Sequence, residues 1–214
     1  MPLYKRFGYI RKFWSDLAGG EPIGFQNATY LGERSTASRN NALAHMMKDS
    51  GAFPEGTNIE DTLNLYFQVC SIEANARKMA VIAATMANGG TNPLTKKKIF
   101  DEQTVYNSLS LMKSCGMYDY SGEWSYTVGI PAKSGVGGCI FLVIPKVMGI
   151  AVFSPRLDER GNSVRGIETS KLLVKDYSIH IFDSLKGVVT PFCQKKNLLK
   201  PISEQVNYFT IQFC

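Results

Sequence analysis

Pro131-Ala132-Lys133-Ser134-Gly135-Val136-Gly137-Gly138 runs directly into Cys139-Ile140-Phe141-Leu142-Val143-Ile144. Small residues ahead of an unbroken apolar run predict a loop entering a buried strand. The glycines allow a ligand to approach the backbone closely, and an N–H there could stabilise an oxyanion. A second apolar run, Met148 to Ser154, follows Pro145-Lys146 and predicts a hairpin partner. Tyr126 to Ile130 reads as a further strand, Arg160 to Ser163 as a turn, and Gly166 to about Ile181 as a helix covering the sheet.

Upstream the pattern is helical. Phe7 to Leu17 reads as a first helix stopped by Gly19-Gly20. Ser35-Thr36 can cap a helix running to about Asp49, and Thr57-x-x-Glu60 has the capping-box pattern for the next one. In that helix Ile59, Leu63, Tyr66 and Cys70 recur as one apolar stripe. From about Ile72 to Asn88, Ala76, Ala80, Ala83, Ala84 and Ala87 give a small-residue face that lets a neighbouring helix pack close. Asp101 starts a helix to Ser114 with Val105, Leu109 and Met112 inward. Helices followed by an antiparallel meander and a final helix predict an α+β fold.

Composition is that of an ordinary globular chain, 44% hydrophobic and 20% charged over 214 residues. No apolar stretch reaches the roughly 18 residues needed to span a bilayer, so no membrane insertion is expected. The net charge of +6 is concentrated at the ends, with +4 over residues 1–14 and +3 over residues 186–214. A nearly neutral body without basic stripes interleaved with aromatics argues against nucleic-acid binding. Five scattered cysteines and two histidines give no metal spacing and fit free thiols in a reducing compartment. The basic, acid-poor N-terminus has the look of a transit peptide. It reads better as the first helix.

Lys133-Ser134-Gly135 resembles the strand element of penicillin-recognising serine hydrolases, which also use Ser-x-x-Lys. A β-lactam-binding protein is therefore one reading, resting on that triplet alone. Six separated blocks carry a more specific resemblance. They are Phe25-x-Asn27-Ala28-Thr29-Tyr30, Glu33-Arg34-x5-Asn40, Tyr66-Phe67-x-x-Cys70-Ser71-Ile72-Glu73, Met86 to Gly90, Ser114 to Asp119, and Pro131 to Val136. In order and spacing they resemble glutaminase, closest to the animal kidney- and liver-type enzymes, over roughly Phe7 to Leu185.

The resemblance implies a β-lactamase/transpeptidase-like fold, a helical subdomain packed on an antiparallel sheet with a covering helix. On this reading residues 1–185 are a partial catalytic domain, mainly helical over about 7–125 and strands plus a helix over 126–185. Residues 186–214 form an unmatched, loosely ordered tail. The implied reaction converts L-glutamine and water to L-glutamate and ammonia through a serine acyl-enzyme. The resemblance implies no metal or organic cofactor, inorganic phosphate as activator, a homotetramer, and a mitochondrial location.

Site residues carry over one by one. Glu33 resembles the residue holding the substrate's α-amino group, and otherwise reads as an acid at a helix start. Asn40 resembles a substrate amide or carboxylate ligand, about two turns on if both share one helix. Tyr66 resembles a substrate-contacting tyrosine and otherwise packs in the core. Tyr118 resembles the tyrosine that relays protons to departing ammonia. The Val136 backbone N–H resembles half of the oxyanion hole, with Lys133 and Ser134 shaping the site.

The family's nucleophile block would precede Phe7 and is not found here. The sole Ser-x-x-Lys, Ser110-Leu111-Met112-Lys113, lies inside a helix and reads as coincidence. The chain is accordingly expected to be a fragment, a short isoform or a truncated gene model. One reading makes it a glutaminase once that block is supplied. The other makes it a catalytically inactive fragment that assembles with full-length glutaminase and modulates it.

Overall fold

The computed structural model describes residues 1–186 and 207–212. The chain divides into two compact units, one of Met1–Asp16 and Glu21–Ala74, the other of Leu17–Gly20 and Asn75–Cys214. None of the helices among the described residues is long and apolar enough to cross a membrane.

The first unit is helical. Helix α1 (Leu3–Leu17) lies in it but for its last residue. The Arg11 guanidinium donates to the Ile23 carbonyl at 2.7 Å and the Ser15 hydroxyl to the Glu21 carbonyl at 2.7 Å, turning the following chain back along the helix. Strand β1 (Gly24–Phe25) pairs antiparallel with β2 (Ile72–Glu73). Phe25 stacks edge-on against Phe7, with ring centroids 4.9 Å apart.

Between those strands run α2 (Asn27–Ser35), α3 (Ser38–Asp49) and α4 (Ile59–Cys70). The helix expected to run from Ser35-Thr36 to about Asp49 is α3, and a further helix, α2, precedes it. Both hydroxyls donate back to the Gly32 carbonyl and terminate α2 instead of capping α3. The Thr57 hydroxyl is likewise spent on the Pro54 carbonyl, and the cap of α4 is Asn58, whose side chain accepts from Asp61 N at 3.0 Å. The α4 stripe also differs from expectation. Ile59 and Phe67 are buried and Leu63 is half-buried, whereas Tyr66 is 49% exposed and Cys70 is exposed. The buried face follows the i, i+4, i+8 row, and the core role for Tyr66 falls away.

The second unit is built on a sheet in the order β3-β4-β5-β6. Strands β3 (Ala132–Gly135), β4 (Cys139–Ile144) and β5 (Met148–Phe153) are antiparallel, and Ile144 pairs with Met148 across the Pro145-Lys146 turn as expected. Strand β6 (Asn207–Gln212) adds parallel to β5. The tail read as loosely ordered over 186–214 therefore contains a strand; residues 187–206 and 213–214 of that tail lie outside the described residues.

Helix α5 (Ala76–Ala87) begins later than expected because Asn75 caps it, accepting from Lys78 N at 2.9 Å. Its alanine face meets a strand rather than a helix. A Cβ on Gly149 of β5 would stand 2.1 Å from Ala84 N, so glycine there and alanine opposite bring backbone to backbone. Helix α6 (Glu102–Cys115), capped by Asp101, buries Val105 and Met112 as expected.

Tyr126 to Ile130 is not a strand. Helix α7 (Ser121–Thr127) takes its first two residues, and Val128 and Ile130 enter the core beyond the helix. The buried Trp124 indole N–H donates to the Ile130 carbonyl at 2.8 Å and fixes that exit. Helix α8 (Val164–Tyr177) completes the unit, capped by Ser163.

The β4 side chains alternate between two cores. Ile140 and Leu142 join Met117, Tyr120, Trp124 and Ile167. Val143, with Phe141 packed alongside, joins Ala83, Met86, Val105 and Met112. A strand apolar on both faces lies inside a sheet covered on both sides, which is why the run reads as continuous.

Candidate active site

The five candidate positions fall into two groups, one on each unit. On the first unit, Glu33 lies in the last turn of α2 and Asn40 in the first turn of α3. They do not share a helix as the single-helix reading required. Nor is Glu33 a helix-start acid, since it stands near the negative end of the α2 dipole, where the macrodipole disfavours it. A carboxylate held against that preference is a better candidate for a cation ligand than for a capping group.

Glu33 and Asn40 both act on Tyr66 of α4. The Cys70 thiol and the Asn40 side chain both lie close enough to the Tyr66 phenol to act on its proton. The Cys70 hydrogen bond and charge, then burial, then the Glu33 carboxylate push the phenol above its ordinary range, against the lowering bond from Asn40. Cys70 is itself raised, first by burial and further by Glu33, against the Tyr66 hydrogen bond. Both groups therefore stay protonated at neutral pH, so the cluster offers one carboxylate beside neutral donors. That set suits a zwitterion, with the carboxylate for an ammonium and the neutral donors for amide or carboxylate oxygens. Cys70 entered the sequence reading only as part of a block and of the apolar stripe. Its spacing of four from Tyr66 on one helix is the signal that places it beside the phenol.

On the second unit, Tyr118 follows α6 and adopts φ +53, a left-handed backbone uncommon outside glycine. Three hydrogen bonds hold it. The Met117 N–H donates to the Ser121 hydroxyl at 3.0 Å, and that hydroxyl donates to the Tyr118 carbonyl at 2.7 Å. The fully buried Asn162 amide donates to the Met117 carbonyl at 3.2 Å. Strain of this kind persists only where the surroundings over-determine it, and it clusters at functional sites.

The same turn that supplies Asn162 places Gly161 under the Tyr118 ring. A Cβ there would lie 3.7 Å from that ring and 3.9 Å from the Val136 side chain. Val136, 66% exposed, sits in the turn from β3 to β4, so Gly161 brings the candidate relay tyrosine and the candidate oxyanion donor together. The Lys133 ammonium lies 4.6 Å from the centre of the Tyr118 ring. Sequence reading missed Ser121 and Asn162. Nothing in local pattern marks them, because their partners are backbone atoms fixed by the fold.

The Ser110/Lys113 pair is not organised as a nucleophile and base. The Ser110 hydroxyl donates to the Tyr106 carbonyl at 2.8 Å, and the Lys113 amine to the Ser125 hydroxyl at 3.1 Å.

Comparison with known proteins agrees with this geometry. A sequence model of the glutaminase family matches residues 2–182. The chain is 44% identical over 182 residues to the mitochondrial liver isoform of glutaminase from Mus musculus, covering 85% of this chain and 30% of that protein. It is 47% identical over 167 residues to a glutaminase of Nostoc sp., covering 78% and 49%. The crystal structure of Mglu superposes with a TM-score of 0.79 at 36% identity, covering 86% of this chain and 45% of that one. A structure of Mglu in its glutamate form matches equally well. The chain thus spans about a third of the length of the animal relative and about half that of the bacterial one. With the family's blocks in order and its β-lactamase-like fold in place, the chain belongs to the glutaminase family.

Proposed function

We propose that this chain provides the substrate-binding and proton-relay groups for hydrolysis of L-glutamine to L-glutamate and ammonia. The observation that carries the reading is the Tyr66 cluster, where a single carboxylate meets neutral donors in a set suited to a free amino acid. Glu33 binds the α-ammonium, Asn40 and Tyr66 hold the amide or carboxylate end, and Tyr118 relays the proton to departing ammonia. The Val136 N–H stabilises the oxyanion. The acyl-forming serine belongs to a Ser-x-x-Lys block, for which Ser110 and Lys113 do not serve. The reaction as read here uses no metal or organic cofactor.

By resemblance we extend the reading to a mitochondrial location, as the name of the mouse relative states for that protein, to a homotetramer, and to inorganic phosphate as an activator. Glutamate formation from L-glutamine tests the reading. The 214-residue chain alone should run barely above background, because without a nucleophile acyl transfer has no first step. The chain joined to the Ser-x-x-Lys-bearing segment of a relative should turn over. Robust turnover by the chain alone, abolished by Ser110→Ala, would overturn the placement of the nucleophile.

A further inference from the structure

Strand β3 alternates, with Ala132 and Ser134 buried and Lys133 and Gly135 half-buried on the opposite face. That face brings the Lys133 side chain over Tyr118, its ammonium 4.6 Å from the ring centre. The ammonium also donates to the Ser134 carbonyl. Among the described residues no carboxylate forms an ion pair with it. A partly desolvated cation without a counter-ion is costly, and burial accordingly lowers the Lys133 amine below its ordinary range, against a raising influence from Cys115. What the cation meets instead is the electron-rich face of a phenol.

The other charged groups around this pair are engaged elsewhere. Arg160, beside Gly161, pairs with Glu123 of α7 at 3.1 Å and lies over the Tyr120 ring. An Asp158 carboxylate oxygen accepts from the Arg160 and Asn162 N–H groups. Among the described residues, Asp119, next in sequence, and Cys115 at the end of α6 are further ionisable neighbours along the chain.

We infer that Lys133 is a positioning residue for Tyr118, holding the ring and favouring its phenolate, so that the tyrosine releases and recovers a proton readily. The inference rests on reading Tyr118 as the proton relay. In that step the Tyr118 O–H bond breaks as an N–H bond forms on the departing amine, which leaves as ammonia. The phenolate, facing the Lys133 cation, then regains a proton from the water that attacks the acyl intermediate. The phenolate supplies the counter-charge that Lys133 otherwise lacks, so the pair is mutually stabilising in the one state where a lone phenolate would be costly.

The test needs no turnover. With 13Cζ-labelled tyrosine in the 214-residue chain, the Tyr118 signal is assigned by its loss in Tyr118→Phe, and its midpoint is followed by NMR against pH. Lys133→Met should weaken the acidity of Tyr118 about tenfold, an effect of the size that a neighbouring opposite charge produces. Lys133→Arg should keep it within about threefold of the parent, since charge and reach survive. A lysine with a merely structural role would not separate Met from Arg in this way. A Tyr118 midpoint within threefold of the parent in a folded Lys133→Met chain would overturn the inference.

If Lys133→Met fails to fold, the reciprocal measurement decides. The coupling acts equally on both partners. In Tyr118→Phe, where the ring remains and only the hydroxyl is gone, the Lys133 ammonium should lose its proton about tenfold more readily, read from 13Cε-labelled lysine. An unmoved Lys133 midpoint there would overturn the inference. Both titrations are independent of hydrolysis, so a failed assay for glutamate formation and a failed titration remain distinct results.

Discussion

Glu33 and Asn162 show how single side chains set up the two halves of the candidate machinery. Glu33 stands where a helix disfavours a carboxylate and where a Tyr66–Cys70–Asn40 cluster feels its charge. If it holds the substrate ammonium, Glu33→Gln in the chain joined to a Ser-x-x-Lys segment should lower kcat/KM by at least about 30-fold. That is the low end of the range for removing one partner of a charge pair, because Glu33 is only half-buried. An unchanged kcat/KM would return Glu33 to a structural role. Asn162 is fully buried and spends its amide donor on the carbonyl ahead of Tyr118. Asn162→Ala removes one of two donors to that carbonyl, the other being the Tyr120 N–H at 3.1 Å, and should cost about 0.5–1.5 kcal/mol of stability, measured by urea unfolding. A cost below 0.5 kcal/mol, on the order of an ordinary surface substitution, would show that the left-handed turn holds without it.

At the scale of elements, α5 against β5 is the contact that sets the sheet. Gly149 has no room for a Cβ, the nearest atoms being helix backbone rather than a flexible side chain. Gly149→Ala should therefore destabilise by about 1–3 kcal/mol. At roughly 2–4 °C per kcal/mol for a chain of this size, the Tm should fall by several degrees. An unshifted melting curve would mean that the helix and strand can separate without penalty. The alanine face of α5 was legible in the sequence, because small residues at helical spacing have few other uses. Its partner was not, because a close-packing face does not say whether helix or strand approaches. The β4–β5 hairpin was legible for a similar reason, two apolar runs around Pro145-Lys146. Helix α2 was hidden because Ser35 and Thr36 end one helix with the same hydroxyls that could have begun the next. Tyr126 to Ile130 misled because Val128 and Ile130 are buried from an exit turn, where apolar content mimics a strand.

For the whole molecule, pH reports on burial and kinetics report on the roles proposed for the two tyrosines. Burial pushes the Cys139 thiol from its ordinary 9.0 up to about 11. The folded chain therefore holds this proton more tightly than the unfolded chain does. The associated stability, on the order of 2–3 kcal/mol, is present in full below pH 9 and is lost as pH rises through about 11. Cys139→Val should flatten the fall of unfolding free energy over that window, and an identical slope in both chains would place the thiol in solvent.

The sequence offered site candidates where they sit in contiguous blocks, as with Tyr118 and Val136. The candidate site was hidden where it depends on fold-made neighbours, as in Cys70, Ser121 and Asn162. The central proposal is that Tyr66 serves in holding glutamine and Tyr118 in moving the proton. Its most direct test is the pair Tyr66→Phe and Tyr118→Phe in the joined chain, read as separate kcat and KM for glutamate formation from L-glutamine. Tyr118→Phe should lower kcat by about 10²–10⁴-fold, the usual worth of a general acid–base group, with little change in KM. Tyr66→Phe should raise KM and leave kcat within a few-fold. Equal losses of kcat in the two variants, or none in Tyr118→Phe, would contradict the account.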